Sequence, residues 1–408
     1  MKLAACQRFD PSQTPAGWTT EPIKNRLRLE YGTGLTDLER TPGSYPVYGS
    51  NGRIGTHRDY LIEGPGILVG RKGSVGEVHF SNAGFWPIDT VYYVRRLGDD
   101  DWRFLFYLLD YLSLGQLNAA TGVPGLTRRD AHYMLGSFPP LPEQREVAAT
   151  LGLADEAIQL ARAKVETARQ LKSALMQKLF VRGVPGRHRR FKSTKIGEFP
   201  ESWQVRSVMS VLQEKPFNGI SPRSRPEPPG TAILNVECVD EGACTQMHVS
   251  YVDVEDKDRK LYRAKKGDFY VLRGNGNREY VASGGLLLEE PDAETIFSDK
   301  LIRLRFKSSE VVERFVPYMW QSCSFLRRLQ SKAECGSGLW MIGKRDIRRE
   351  LFACPGKDEQ GEIVAALDSV LEQIRACERE QESLAHLKQS LLQRLLSGRV
   401  RLTLAEVA

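Results

Sequence analysis

Residues 139–184 recur at 355–400 with one constant offset of 216 and no gap, and fifteen of the 46 positions are identical. The matches include Glu143/Glu359, Gln144/Gln360, Glu146/Glu362, Ile158/Ile374, Glu166/Glu382, Leu171/Leu387, Lys172/Lys388 and Gln177/Gln393. The same offset reaches upstream through Gly122/Gly338, Arg129/Arg345 and Asp130/Asp346. Before that the halves differ in length and sequence, although each opens alike, on Pro15-Ala16-Gly17-Trp18 and on Pro200-Glu201-Ser202-Trp203. The chain is therefore two halves, each an individual region followed by a shared one, and any fold must respect that duplication.

The shared region reads as helix. Val147, Leu151, Ala154, Ile158, Ala161, Val165, Ala168, Leu175 and Leu179 step by four and three, a heptad seam. Ile363, Leu367, Val370, Ile374, Cys377, Leu384, Leu391 and Leu395 fall on the same positions, and Lys172 and Lys388 fill the one polar slot of each seam. A polar residue in a seam fixes register at some cost in stability. Pro142 suits a first helical turn. Gly183, Pro185 and Gly186 stop the first helix and Gly398 the second. Each helix should run for roughly 38 residues, about 57 Å at 1.5 Å per residue. The two stripes could pack separately, each on its own domain, but their common register favours pairing. With a whole globular region between them, the simple pair is antiparallel.

At 408 residues the chain suits two or three domains. No apolar run marks a signal peptide or membrane span, and the seven scattered cysteines include no C-x-x-C pair, so a cytoplasmic protein without a disulfide framework or zinc ribbon is expected. The net charge of +7 is uneven. Residues 1–196 carry +8, whereas residues 197–408 carry −1. A positive excess is compatible with a polyanionic partner. Arg187, His188, Arg189, Arg190, Lys192 and Lys195, around glycines and a proline, either touch phosphates or form a solvated connector.

Region 18–138 reads as mixed α and β, with strands at Gly66–Gly70, Val75–Phe80 and Thr90–Val94 and a helix over Asp101–Tyr111. Region 203–352 shows strands at Thr231–Val236, Phe269–Arg273 and Leu301–Phe306 and a helix over Glu310–Gln330.

The runs Tyr45-Pro46-Val47-Tyr48-Gly49-Ser50-Asn51-Gly52-Arg53-Ile54-Gly55, Val69-Gly70-Arg71-Lys72-Gly73-Ser74-Val75-Gly76 and Trp86-Pro87-Ile88-Asp89-Thr90 resemble one class of type I target-recognition domain. Ile233-Leu234-Asn235-Val236, Lys266-Gly267-Asp268-Phe269 and Phe297-Ser298-Asp299-Lys300-Leu301 are similar to another class. Pro139-Pro140-Leu141-Pro142-Glu143-Gln144 looks like the junction with a spacer helix; Lys357-Asp358-Glu359-Gln360 departs from it in its prolines. The resemblance, to the specificity subunits of type I restriction–modification systems, covers nearly the whole chain. It implies an α+β protein: two mixed recognition domains separated by two long antiparallel helices in a coiled coil, a pseudo-twofold repeat. The expected order is recognition domain 1–141, central spacer helix 142–182, linker 183–196, recognition domain 197–356, C-terminal spacer helix 357–398 and tail 399–408. It further implies double-stranded DNA read as a bipartite, asymmetric site. Two methyltransferase subunits would dock and supply S-adenosylmethionine chemistry, with restriction–translocase subunits joining in some systems. No cofactor, metal or membrane is expected for the chain itself.

Catalytic signatures are missing. Neither double proline, in Phe138-Pro139-Pro140-Leu141 or Glu227-Pro228-Pro229-Gly230, makes the turn with which a DNA amino-methyltransferase grips its base. Gly338 to Lys344 has P-loop spacing, but Arg345 replaces the Ser/Thr that holds Mg²⁺. The expected DNA-contacting residues lie in glycine-rich loops, where backbone can approach closely. They are Asn51, Arg53, Arg71, Lys72, Thr121 and Arg128 in the first half, and Arg273, Asn275, Asn277, Arg278, Ser337, Trp340 and Lys344 in the second. Arginine can grip guanine, and asparagine adenine, in bidentate fashion; surface or turn roles are the plain alternative for each. For the whole chain the alternative is a coiled-coil scaffold that binds proteins only.

Overall fold

The computed structural model describes residues 8–117, 125–291, 294–336 and 338–402. It divides into two units: residues 1–163 with 377–408, and residues 164–376.

In the first unit the strands are β1 (Thr19–Pro22), β2 (Leu27–Tyr31), β3 (Tyr45–Gly49), β4 (Gly52–His57), β5 (Gly66–Gly70), β6 (Val78–Ser81), β7 (Trp86–Pro87), β8 (Val91–Arg96) and β9 (Leu135–Phe138). The main sheet has the order β2-β8-β5-β6, with β4-β3-β7 beside it in sequence and β1 paired to β9. Alternation in β2 turns Leu27 and Leu29 inward and Arg28 and Glu30 outward, and Tyr31 at the strand's end is exposed. Helix α1 (Trp102–Leu112) is started by Asp101, whose carboxylate accepts from the amides of Arg103 and Phe104, and a short α2 (Arg128–His132) by the Thr127 hydroxyl. Phe104, Leu105, Leu108 and Leu112 of α1 join Leu27, Leu29, Ile67, Val69, Tyr92 and Val94 in one core.

Helix α3 (Leu141–Arg182) follows, 42 residues long, with Pro142 in its first turn and Gly183 in the left-handed conformation (φ 73°) just beyond its end. The second unit then runs through β10 (Phe191–Thr194), β11 (Gly197–Pro200), β12 (Gln204–Ser207), β13 (Phe217–Asn218), β14 (Ser224–Arg225), β15 (Thr231–Leu234), β16 (Val239–Asp240), β17 (Ala243–Cys244) and β18 (Ser250–Val252). It continues through α4 (Asp256–Leu261), β19 (Phe269–Leu272), β20 (Gly274–Asn275), β21 (Gly284–Leu287), β22 (Thr295–Phe297) and β23 (Leu301–Leu304). It closes through α5 (Phe315–Gln321), α6 (Cys323–Ser331), β24 (Glu334–Gly336), β25 (Leu339–Met341), α7 (Lys344–Arg349) and β26 (Leu351–Cys354). Helix α8 (Lys357–Leu396) returns the chain to the first unit.

Two local expectations are corrected. The single helix expected over Glu310–Gln330 is two, α5 and α6, because Ser322 is extended (ψ 131°) between them. Linker 183–196 holds a strand, β10, paired with β11.

The units share a topology that their upstream sequences hide. The antiparallel order β13-β23-β19-β21 in the second unit repeats β2-β8-β5-β6 in the first, extended there by β17 and β16. Pairing of β12 with β26 repeats that of β1 with β9, and α7 repeats α2.

Each unit contains one antiparallel helix crossing. In the first, Val147, Ala148 and Leu151 of α3 share a core with Leu395 and Leu396 of α8, and Asp155 pairs with Lys388 at 2.7 Å. In the second, Met176, Leu179 and Phe180 share a core with Ile363, Val364 and Leu367. Ile158, Val165 and Ile374 are buried too, and Leu175, Val370, Leu384 and Leu391 are partly buried. Among the described residues no helix is long and apolar enough to cross a membrane.

Candidate nucleic-acid interface

Each domain is fastened to its long helix by the residues that repeat best. Glu143 at the start of α3 accepts from Trp18 Nε1 at 3.1 Å and from Arg401 Nε and Nη2 at 2.6 and 2.8 Å. Glu359 at the start of α8 accepts from Trp203 Nε1 at 2.9 Å and the Val184 amide at 3.2 Å, with His188 Nε2 at 2.7 Å. Gln144 takes the Asp101 amide at 2.8 Å and gives its NH₂ to Pro139 O at 3.0 Å; Gln360 takes the Val312 amide at 2.8 Å and gives to Pro355 O at 3.0 Å. Tyr107 donates to Asp155 and Tyr318 to Asp368, at 2.7 and 2.6 Å; burial, with the carboxylate alongside, raises both phenol pKa values. These polar pairs, buried or partly buried, satisfy one another and bolt each domain to its helix.

In the first unit the loop after β5 organises the candidate surface. The Arg71 amide donates to Thr90 O at 2.9 Å, and its carbonyl accepts from the Leu126 amide at 2.9 Å. Its guanidinium gives Nε and Nη2 to Asp89 O at 3.0 and 2.7 Å. Arg71 and Arg128 stand 5.2 and 5.1 Å from the ring centroid of Tyr31, which is half exposed. Arg128, at the start of α2, also meets Glu30 at 3.4 Å. Beneath them Tyr92 gives its hydroxyl to Leu126 O at 3.0 Å, and burial, then the neighbouring Tyr31, push its pKa up to about 12.

Exposed Lys72 makes a single antiparallel bridge with Gly125. Asn51 is exposed at the tip of the β3–β4 hairpin, where Gly52 takes φ 95°, and Arg53 is exposed on β4. That tip reaches the Arg71–Ser74 loop: a Cβ on Gly73 would lie 3.1 Å from Ser50 Oγ. The fold thus brings Arg71 and Arg128 to Tyr31, a residue that sequence reasoning missed, and sets the hairpin tip that carries Asn51 beside the loop that carries Lys72. Thr121 lies outside the described residues.

The second unit holds Arg273 in the same frame. Its amide donates to Lys300 O at 2.8 Å, its carbonyl accepts from the Ile342 amide at 2.8 Å, and Nη1 donates to Asp299 O at 3.5 Å. Asn275 on β20 pairs with Trp340 on β25, and the Arg278 guanidinium lies 4.9 Å from the Trp340 ring. Arg278 directs Nε and Nη2 to the carbonyls of Gln330 and Ser331, both at 3.1 Å. The side-chain oxygens of Asn275 and Asn277 accept from the amides of Asn277 and Glu279, at 2.9 and 3.0 Å. Each of these oxygens keeps a second lone pair beside its NH₂ group. Lys344 is exposed at the start of α7; Ser337 lies outside the described residues. Among the described residues no group of three or more His, Cys, Asp or Glu side chains could hold a metal.

The family model for the type I restriction modification DNA specificity domain matches residues 30–168. The chain is 26% identical over 358 residues to the type I restriction enzyme MjaVIII specificity subunit of Methanocaldococcus jannaschii, covering 85% of this chain and 81% of that one. It is 24% identical over 268 residues to the EcoKI specificity subunit of Escherichia coli K12, covering 64% and 56%. Two solved structures share the fold at 16% identity, each with 95% of this chain covered. The S subunit of the M. genitalium type I restriction–modification system superposes with a TM-score of 0.55 over 97% of its length. A chain from a study of type I complex assembly and conformational transition reaches 0.60 over 99%. With the duplicated framework and these relatives together, the chain is similar to the specificity subunits of type I restriction–modification systems, and residues 30–168 match their DNA specificity domain.

Proposed function

We propose that this chain selects the DNA sequence for a type I restriction–modification complex and performs no chemistry itself. Each domain reads one half of a bipartite, asymmetric duplex site, and methyltransferase subunits, two in this reading, dock on the assembly and bring S-adenosylmethionine. Restriction subunits join where the system has them. The observation that carries the reading is one framework built twice with unlike loops: β2-β8-β5-β6 and β13-β23-β19-β21 agree, whereas the β3–β4 hairpin and the β24–β25 hairpin do not. Shared frameworks place a duplex and unlike loops distinguish bases. Helices of 42 and 40 residues are about 60 Å long.

Replacing residues 1–138 by the corresponding domain of another specificity subunit, then sequencing the methylome, tests this. One half of the motif should change and the other persist. A change in both halves refutes modular reading, and absence of any sequence-selective DNA retention beside the methyltransferase subunits leaves the protein-only scaffold.

A further inference from the structure

Superimposing the hydrogen-bond frames sorts the candidate residues into two kinds. Arg71 and Arg273 are equivalent. Each amide bonds to the residue just before the neighbouring strand, Thr90 or Lys300, and each carbonyl accepts from Leu126 or Ile342, residues 216 apart. Each guanidinium donates to the carbonyl one residue earlier, of Asp89 or Asp299. Arg128 and Lys344, also 216 apart, both stand exposed at the first position of α2 and α7. Thr121 and Ser337, also 216 apart, lie outside the described residues, and the remaining candidates do not recur. The bridge of Lys72 with Gly125 matches that of Gly274 with Met341, so Lys72 corresponds to a glycine, and Asn275 to Gly73.

We propose that Arg71 with Arg128, and Arg273 with Lys344, form a sequence-neutral phosphate clamp, the same in both domains, and that bases are read by the elements the domains do not share. The proposal rests on the specificity-subunit reading. Its logic is informational. Two domains that recognise different bases cannot do so with an identical group in an identical frame, but both must grip the same sugar-phosphate chain. The exchange of Arg128 for Lys344 agrees, since a phosphate accepts a point charge whereas guanine favours the planar fork. Fixing Arg71 and Arg273 on backbone carbonyls orients each guanidinium before DNA arrives.

The test uses the full chain with its methyltransferase subunits and a duplex carrying the motif that methylome sequencing defines for the unaltered complex. Affinities are measured from 50 to 200 mM salt for Arg71→Gln, Arg128→Gln, Arg273→Gln and Lys344→Gln. Each should lower the slope of log K against log salt by about 0.9, weaken motif and scrambled duplexes by the same factor, and leave the methylated motif unchanged. Arg128→Lys and Lys344→Arg should keep the original slope. An unchanged slope with a motif relaxed in one half would make the residue a base reader and overturn the clamp. A lowered melting temperature with slope and motif unchanged would make it structural, and the clamp would fall equally. If the unaltered complex shows no motif preference, the specificity reading fails first, and that result is distinct from either.

Discussion

Glu359 shows how much one side chain can carry. It is 2% exposed and serves Trp203, Val184 and His188 at once. In Glu359→Ala the indole N–H of Trp203, itself 1% exposed, loses its acceptor. Orphaning buried polar groups costs about 3 kcal/mol, so the denaturant midpoint followed by Trp203 fluorescence should fall accordingly. His132 makes a pH-dependent contribution in the first unit. Its Nε2 accepts from the Leu29 amide at 2.9 Å, which requires a neutral ring. Burial first, then Arg28 and Arg128, hold its pKa below the usual 6.5. The unfolded chain therefore binds the proton more readily, so this stabilisation is full above about pH 6.5 and fades as pH falls through the folded-state value. Melting temperatures between pH 7.5 and 5.5 should drop less steeply in His132→Gln than in the unaltered chain. At this scale the sequence revealed identity without role: Glu143 and Gln144 stood out as repeats, but their partners Trp18, Asp101 and Arg401 lie far away along the chain. Tyr31 gave no signal, because a tyrosine ending a strand reads as ordinary β sequence.

Elements were legible in proportion to their length. The heptads of α3 and α8 announce helices because thirty-odd residues of one period leave no other solution. Strands such as β13, β20 and β24, two or three residues long, have no readable period, so the common topology of the units emerged only from hydrogen bonding. The Glu310–Gln330 segment shows the converse limit, since helical composition did not disclose the extended Ser322. Within the helices, apolar and polar seam positions should behave differently. Leu367 is fully buried, and Leu367→Ala should cost about 3 kcal/mol. The Lys388–Asp155 pair is partly exposed, with side chains 20% and 37% accessible. Lys388→Met should therefore shift stability by less than about 1 kcal/mol, as Asp155 keeps the Tyr107 hydroxyl. Urea melts of the two variants, followed by circular dichroism, compare these effects directly.

On the scale of the whole molecule, sequence distance misleads about which parts fold together. The segment after α8 belongs to the first unit: Leu402 packs on its core, and Arg401 bonds Glu143 and, at 2.9 Å, Ala16 O. The corresponding glutamate of the second unit, Glu359, is served from within that unit by Val184 and His188. Truncation before Arg399 should consequently loosen the start of the chain rather than its end. Among the described residues, Glu143, 6% exposed, would keep only Trp18. Because Arg401 is itself 41% accessible, the loss should be nearer about 2 kcal/mol than the full penalty of a broken buried pair. Hydrogen exchange read by mass spectrometry should show faster exchange in residues 15–22 and 141–151. Residues 203–211 and 359–367, which depend on none of these bonds, should exchange as before. Equal loosening of both sets would mean that the two units fold as one cooperative body, and the division between them would have to be abandoned.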